Sequence, residues 1–286
     1  MSPGKRELAR CFAALGLSRA GLAAQRALLW PFVRAINYHD VPPQQEDAFE
    51  RQLDFYAEHF ECVDERGLLA FHRGEWKSDR PGLLLSFDDG LRSHAEVVAP
   101  RLEARGWVGW FMVPVGFVDA APADQVAFAG KHRIGHAAFD YGDPRIACTW
   151  DQVRGLAERH VVGCHGLMHR RLAADLSSDE LQCEIPHARA RLEAELGRDV
   201  AAFAWIGGEE ESYSRDAAMA IADAGFRIGF MTNNHPIRPG CDLLQLQRTN
   251  IESHDSPAVV AFQLSGAMDV LYWGKRRRVN RLTRTG

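Results

Sequence analysis

Two periodicities alternate along this chain. Short, mostly apolar runs occupy 35–38, 60–63, 83–87, 109–113, 161–163, 202–205, 228–232 and 246–248. Runs of that length, bounded by turn-forming or polar residues, read as buried strands. Between most of them, apolar residues return every three or four positions, as on a helix with one buried face. Several helices carry start signals. Asp47 with Glu50, and Ser177 with Glu180, have the spacing of capping boxes, in which two residues three apart satisfy each other's backbone N–H. Ser256-Pro257 places a cap and a first-turn proline before a third helix. Pro186 falls inside the helix that Ser177 starts and should kink or split it.

Strands alternating with helices predict a parallel sheet wrapped by helices. With about eight strands the sheet is expected to close into an α/β barrel, whose chemistry sits at the carboxyl ends of the strands. Three regions follow: an amphipathic helical segment over 1–33, the barrel over 34–270, and a basic tail over 271–286. The longest stretch without clear pattern is 119–148, the length of a lid or a binding loop.

Composition narrows the setting. The chain has 286 residues, of which 46% are hydrophobic, enough to bury a core without disulfide staples. A net charge of −4 gives no reason to expect nucleic acid as a partner. Six cysteines, at 11, 62, 148, 164, 183 and 241, form no CxxC pair and read as reduced thiols, which points to the cytoplasm. No stretch reaches about 18 uncharged apolar residues, so no spanning helix is expected. The basic amphipathic start and the tail residues Lys275, Arg276, Arg277, Arg278, Arg281 and Arg284 suggest peripheral contact with the inner face of an anionic membrane. A solvated, frayed tail is the plainer alternative.

The candidate chemistry begins at "LLLSFDDG", 83–90, where a buried strand ends in adjacent carboxylates, Asp88 and Asp89. Asp-Gly alone is a turn signal. A second strand end changes the picture: in "RHVVGCHGLMHRRL", His165 and His169 follow the strand at 161–163, four residues apart. A parallel barrel delivers both strand ends to one rim. Two imidazoles and one carboxylate make a three-ligand metal site with a position left open for water, the pattern of a catalytic metal. The neighbouring carboxylate is then free to act as a base.

These motifs resemble those of the NodB-type polysaccharide deacetylases, carbohydrate esterase family four. "SFDDG" is similar to the family's TFDDG and "HGLMH" to its H-[ST]-x-x-H. "NYHDV" at 37–41, "TWDQVRGLAERHVVGCH" and "FAWIGG" extend the likeness over about 36–264. The resemblance implies a distorted (β/α) barrel of seven to eight mainly parallel strands. It also implies Asp88 as general base and Asp89, His165 and His169 as ligands of one divalent ion. Zinc is favoured, with cobalt, nickel or manganese compatible with the same donors. The implied reaction is hydrolysis of an N-acyl group, most often N-acetyl, from an amino sugar.

The chain departs from the family pattern in two places. No arginine or proline stands in "FAWIGGEEESYS" where the family places an arginine that orients the base, so Arg248 is the candidate substitute partner of Asp88. No late Leu-x-x-His supplies a general acid. His39, at the end of a predicted strand, is preferred over His254 for that role. Trp205 is a candidate sugar platform, and Asp40 a candidate to bind substrate or hold the His39 ring. The run Glu209–Glu211 is expected on a solvated loop. His132 and His136 are expected to help close a lid rather than bind a second metal.

The expected substrate is an acylated amino sugar, lipid- or nucleotide-linked, used in cell-surface polysaccharide or glycolipid assembly. The alternatives are a sugar deformylase, an O-acetyl esterase, and a catalytically silent carbohydrate-binding barrel.

Overall fold

In a computed structural model the eight predicted strands are all present: β1 Val33–Tyr38, β2 Glu61–Cys62, β3 Gly82–Phe87, β4 Gly109–Val113, β5 Val161–Cys164, β6 Ala202–Ala204, β7 Ile228–Met231 and β8 Leu246–Asn250. The structure describes Glu7, Phe12 and residues 16–285. All pairings between these strands are parallel. Seven strands close a ring in the order β1-β8-β7-β6-β5-β4-β3, sealed where β1 pairs with β3. That seam is the longest register in the sheet, running from Val33↔Gly82 to Tyr38↔Phe87.

β2 is not a stave of the barrel. It pairs with the start of β3, Glu61↔Gly82 and Cys62↔Leu83, whereas β4 takes the far half of the same edge, Leu85↔Gly109 to Phe87↔Phe111. β3 is six residues long and β4 engages only its end, so a two-residue strand fills the remainder.

Alternation along the strands sorts side chains to two sides. Leu83, Leu85 and Phe87 of β3 join helix residues such as Phe49, Leu53 and Leu156 in one cluster. Leu84 joins Ala35, Trp110, Met112, Ala204 and Phe230 within the ring. The inward series on β3 therefore runs Leu84, Ser86 and then Asp88, just past the strand's end.

The Ser177–Glu180 capping box is present, with Ser177 N donating to Glu180 Oε2 at 2.8 Å and Glu180 N to Ser177 Oγ at 3.3 Å. Asp47 caps nothing: a 3-10 turn at Pro43–Gln45 leads into a helix starting at Glu46, which puts Asp47 inside the first turn. Pro186 is absorbed by a π-helical turn, Cys183–His187, that passes into the helix Ala188–Leu196. The wider turn tolerates the missing N–H without breaking the rod.

Both ends of the described chain dock on the barrel. Helix Leu17–Leu29 is fastened through Gln25, which donates to the Leu264 carbonyl at 2.7 Å and accepts from the buried Arg34. The expected tail is largely a helix, Trp273–Leu282, because Arg276 turns inward and donates to the carbonyls of Asn233, Asn234 and Asp269. Among the described residues no helix is long and apolar enough to cross a membrane.

Candidate active site

At the carboxyl end of the barrel the inward positions turn polar. Arg248 on β8 grips Asp88 with both arms of its guanidinium, Nη1 to Oδ1 at 2.6 Å and Nη2 to Oδ2 at 2.8 Å. Nη1 also donates to Ser86 Oγ at 2.9 Å, and Asn37 Nδ2 donates to Asp88 Oδ2 at 3.3 Å. The Arg248 and Asp88 side chains are 1% and 4% exposed. Such a bidentate fork fixes the carboxylate plane as well as its charge. Burial alone would push the Asp88 carboxyl up, but Arg248, with help from His165, holds it below the ordinary value. Asp88 is therefore an anion at neutral pH despite its burial.

Asp89, His165 and His169 converge next to it, each offering one ligand atom within 4.8 Å of the others. Asp89 Oδ1 lies 3.5 Å from His165 Nε2 and 3.1 Å from His169 Nε2. Burial pushes the Asp89 carboxyl up; only protonated imidazoles, donating from Nε2, would bring it well below its ordinary value, and with neutral rings that compensation is left to a cation. The Nδ1 sides are engaged elsewhere: His165 with the Ala204 carbonyl and His169 with the His132 carbonyl, both at 2.8 Å. Carbonyls only accept, so each Nδ1 carries the proton and each Nε2 presents a lone pair to the centre.

With the lone pairs so directed, Asp89 Oδ1 is buried without a hydrogen-bond donor. An orphaned oxygen facing two imidazole lone pairs is the signature of a position for a cation. The spacing fits as well, since donors about 2.1 Å from a shared tetrahedral ion stand roughly 3.4 Å apart. These residues therefore fit a divalent metal. Asp89 and His169 adopt left-handed backbone conformations, φ 83° and 53°. Glu184, buried and unremarked in the sequence, accepts from Leu167 N and Met168 N at 3.0 Å and so anchors the loop between the two histidines. Gly166, at φ 77°, holds a left-handed conformation that favours glycine, and a Cβ there would press on Glu184 Oε2 at 2.8 Å.

Asp88, Asp89, His165 and His169 line a cavity of about 770 Å³, together with His39 and Trp205. Trp205 is 2% exposed and packs on Tyr213, so it offers the cavity little of its surface. Arg248 does not line the cavity and acts on Asp88 from behind. Asp40 lies away from the cavity lining as well, and both its carboxylate oxygens are used. Oδ1 accepts from Ser93 Oγ at 2.6 Å and Oδ2 from Ala137 N at 2.7 Å, which fastens the 119–148 segment to the rim.

That segment is better ordered than its sequence suggests. It holds the helix Gln125–His132, and Gln125 Oε1 accepts from Ile146 N and Ala147 N. Neither His136 nor His254 lines the cavity, whereas Glu209 does. Cys164, next to His165, is fully buried, which pushes its thiol up to about 12.

A closed parallel barrel with a buried two-histidine, one-carboxylate centre and an arginine-held aspartate beside it is the framework of a hydrolase. The sequence pattern of the polysaccharide deacetylases matches residues 77–229, more than half of the chain, and the chain belongs to that family of carbohydrate deacetylases. Comparison with curated proteins gives no match.

Among solved structures, the chain is similar to deacetylase PplD of Streptococcus pyogenes in complex with acetate, at a TM-score of 0.64 and 18% identity over 82% of this chain and 98% of that one. It is similar to IcaB from Ammonifex degensii, at 0.61 and 20% identity over 82% and 97%. It is also similar to the BpsB deacetylase domain from Bordetella bronchiseptica, at 0.58 and 18% identity over 77% and 96%. At such identities these likenesses are likenesses of fold.

Proposed function

We propose that this protein is a metal-dependent N-deacylase that removes an acyl group, acetyl in the first instance, from an amino sugar of cell-surface polysaccharide or glycolipid. The observation that carries the reading is an anionic Asp88, locked by Arg248, beside the convergent Asp89, His165 and His169. Those three residues would hold the ion, zinc by the chemistry of its donors. When bound, the ion supplies Lewis acidity toward the acyl carbonyl and acidifies water at the site.

The remaining steps fall to side chains of this chain. Asp88 accepts the proton of the attacking water, with Arg248 and Asn37 fixing which of its lone pairs faces the substrate. His39, on the same cavity, delivers a proton to the departing amine. Trp205 contributes its cavity edge as a wall for the sugar.

The same machinery would serve a formamide or an acetate ester. Acetate or formate release from N-acetyl, N-formyl and O-acetyl amino sugars, compared side by side, separates the three. Exhaustive chelation should abolish the activity and zinc restore it. Turnover that survives chelation would rule the mechanism out.

The five described cysteines are free thiols, which supports a reducing compartment. Val270, Leu271 and Trp273 are 76%, 70% and 55% exposed beside exposed Arg277 and Arg281, and these support peripheral contact with an anionic membrane. Co-sedimentation with anionic but not neutral vesicles tests that placement.

A further inference from the structure

The cavity wall around His169 carries positive charge that an uncharged sugar cannot use. The hydrogen bond from His169 Nδ1 to the His132 carbonyl, 2.8 Å, brings two short stretches together, 131–133 and 169–171. Each contributes two cations to the cavity lining: Lys131 and Arg133 from one, Arg170 and Arg171 from the other. This local excess runs against a chain whose net charge is −4.

Half of these cations have carboxylate partners, Arg170 with Glu180 at 2.7 Å and Arg171 with Glu209 at 3.0 Å. Glu180 is shared, because it also accepts from Ser177 N in the capping box. Among the described residues no carboxylate pairs with Lys131 or Arg133, so these two stretches keep two unpaired positive charges on a lining that also holds Asp88, Asp89 and Glu252. Like charges collected on one side of a cleft repel one another and focus a field on whatever enters it.

We propose that the acylated sugar carries an oxyanion, a phosphate in the first instance, that docks on Lys131, Arg133, Arg170 and Arg171. The proposal rests on the deacylase reading for the sugar and adds what is attached to it. Phosphate is favoured over carboxylate because its two charges and several terminal oxygens can engage donors from both stretches at once, with arginine forks matched to its geometry.

The test measures binding of three probes to the zinc-loaded protein by calorimetry: N-acetylglucosamine 1-phosphate, N-acetylmuramic acid and neutral methyl N-acetylglucosaminide. The phosphorylated probe should bind at least about tenfold tighter than the neutral one, the scale of one charge-assisted contact. In Lys131→Ala/Arg133→Ala that ratio should fall about tenfold, and added salt should erode it in the wild type. Arg170→Ala, a second and independent variant, should reduce it as well.

Equal affinity for the three probes overturns the proposal. So does a preference undiminished in the variants, since the phosphate would then be seated on the metal alone. Tighter binding of N-acetylmuramic acid than of the phosphate overturns the choice of phosphate. Acetate release is followed separately. If no probe is turned over while the phosphate preference and its loss in the variants persist, the deacylase reading fails and the anion subsite stands.

Discussion

Arg248→Met is the substitution that most directly tests how the barrel tolerates a buried carboxylate. The pair is nearly sealed from water, with both side chains at or below 4% exposure and both arms of the fork within 2.8 Å of the carboxylate oxygens. Two unit charges 4 Å apart attract by about 4 kcal/mol at an effective dielectric of about 20. Removing one partner of such a pair typically costs about 3–5 kcal/mol, because the other charge is left buried and unpaired. Asn37, at 3.3 Å, is too weak a donor to replace the guanidinium.

Urea unfolding of the metal-free protein should therefore show a loss of about 3–5 kcal/mol for Arg248→Met. Asp88→Asn in the same background should recover a good part of it, since the orphaned charge is then gone, with a coupling of about 2 kcal/mol or more in the double-mutant cycle. The pH dependence has a definite sign. The Asp88 carboxyl sits below its ordinary value in the fold, so the pair's contribution is fully present above the unfolded value of about 3.9. It is lost as the pH falls through the lower folded value. The coupling should accordingly be large at pH 7 and shrink toward pH 3. Additive single-variant effects at pH 7, or a coupling that grows on acidification, would refute the reasoning.

Three further outcomes are expected. His39→Ala should lower kcat by about 10²–10⁴-fold with little change in KM, as for loss of a general acid; a fully active variant removes that role. Asp40→Ala leaves Ala137 N and Ser93 Oγ without their acceptor and should destabilise the 119–148 segment by about 1–3 kcal/mol. The readout is faster proteolysis and amide exchange there, and unchanged protection would show that the clamp is idle. Saturating zinc should raise the melting temperature of wild type through linkage, and much less in His169→Gln; an equal rise in both would place the ion elsewhere.

The elements were legible because most of the strands bury a short apolar run, and β4 matches its expected bounds at both ends. Closure was less so. The 60–63 run has the length of a stave although Glu61 interrupts it, but whether a strand joins the ring depends on pairings distant in sequence, here β1 with β3. Asp88, Asp89, His165 and His169 stood out through their spacing at strand ends. Their supports did not. Asn37 and Ser86 read as ordinary polar residues, and only the inward parity of β1 and β3 could have marked them. The carbonyls of Ala204 and His132, which set the histidine tautomers, belong to backbone that any residue supplies. Asp40, a turn aspartate beside a histidine, accepts from Ser93 and Ala137, partners that no sequence spacing marks.

The left-handed backbone at Asp89 and His169 has a bearing on how such a protein ages under mutation. A side chain other than glycine in that conformation costs on the order of 1 kcal/mol, although aspartate and histidine are among the residues that bear it best. Glycine at either place would relax the chain while removing a member of the Asp89, His165 and His169 cluster. Selection for foldability alone should thus erode positions 89 and 169 early, and a library sorted only for heat resistance should drift toward inert barrels. The fold bears its backbone cost at the two positions that bring Asp89 and His169 together.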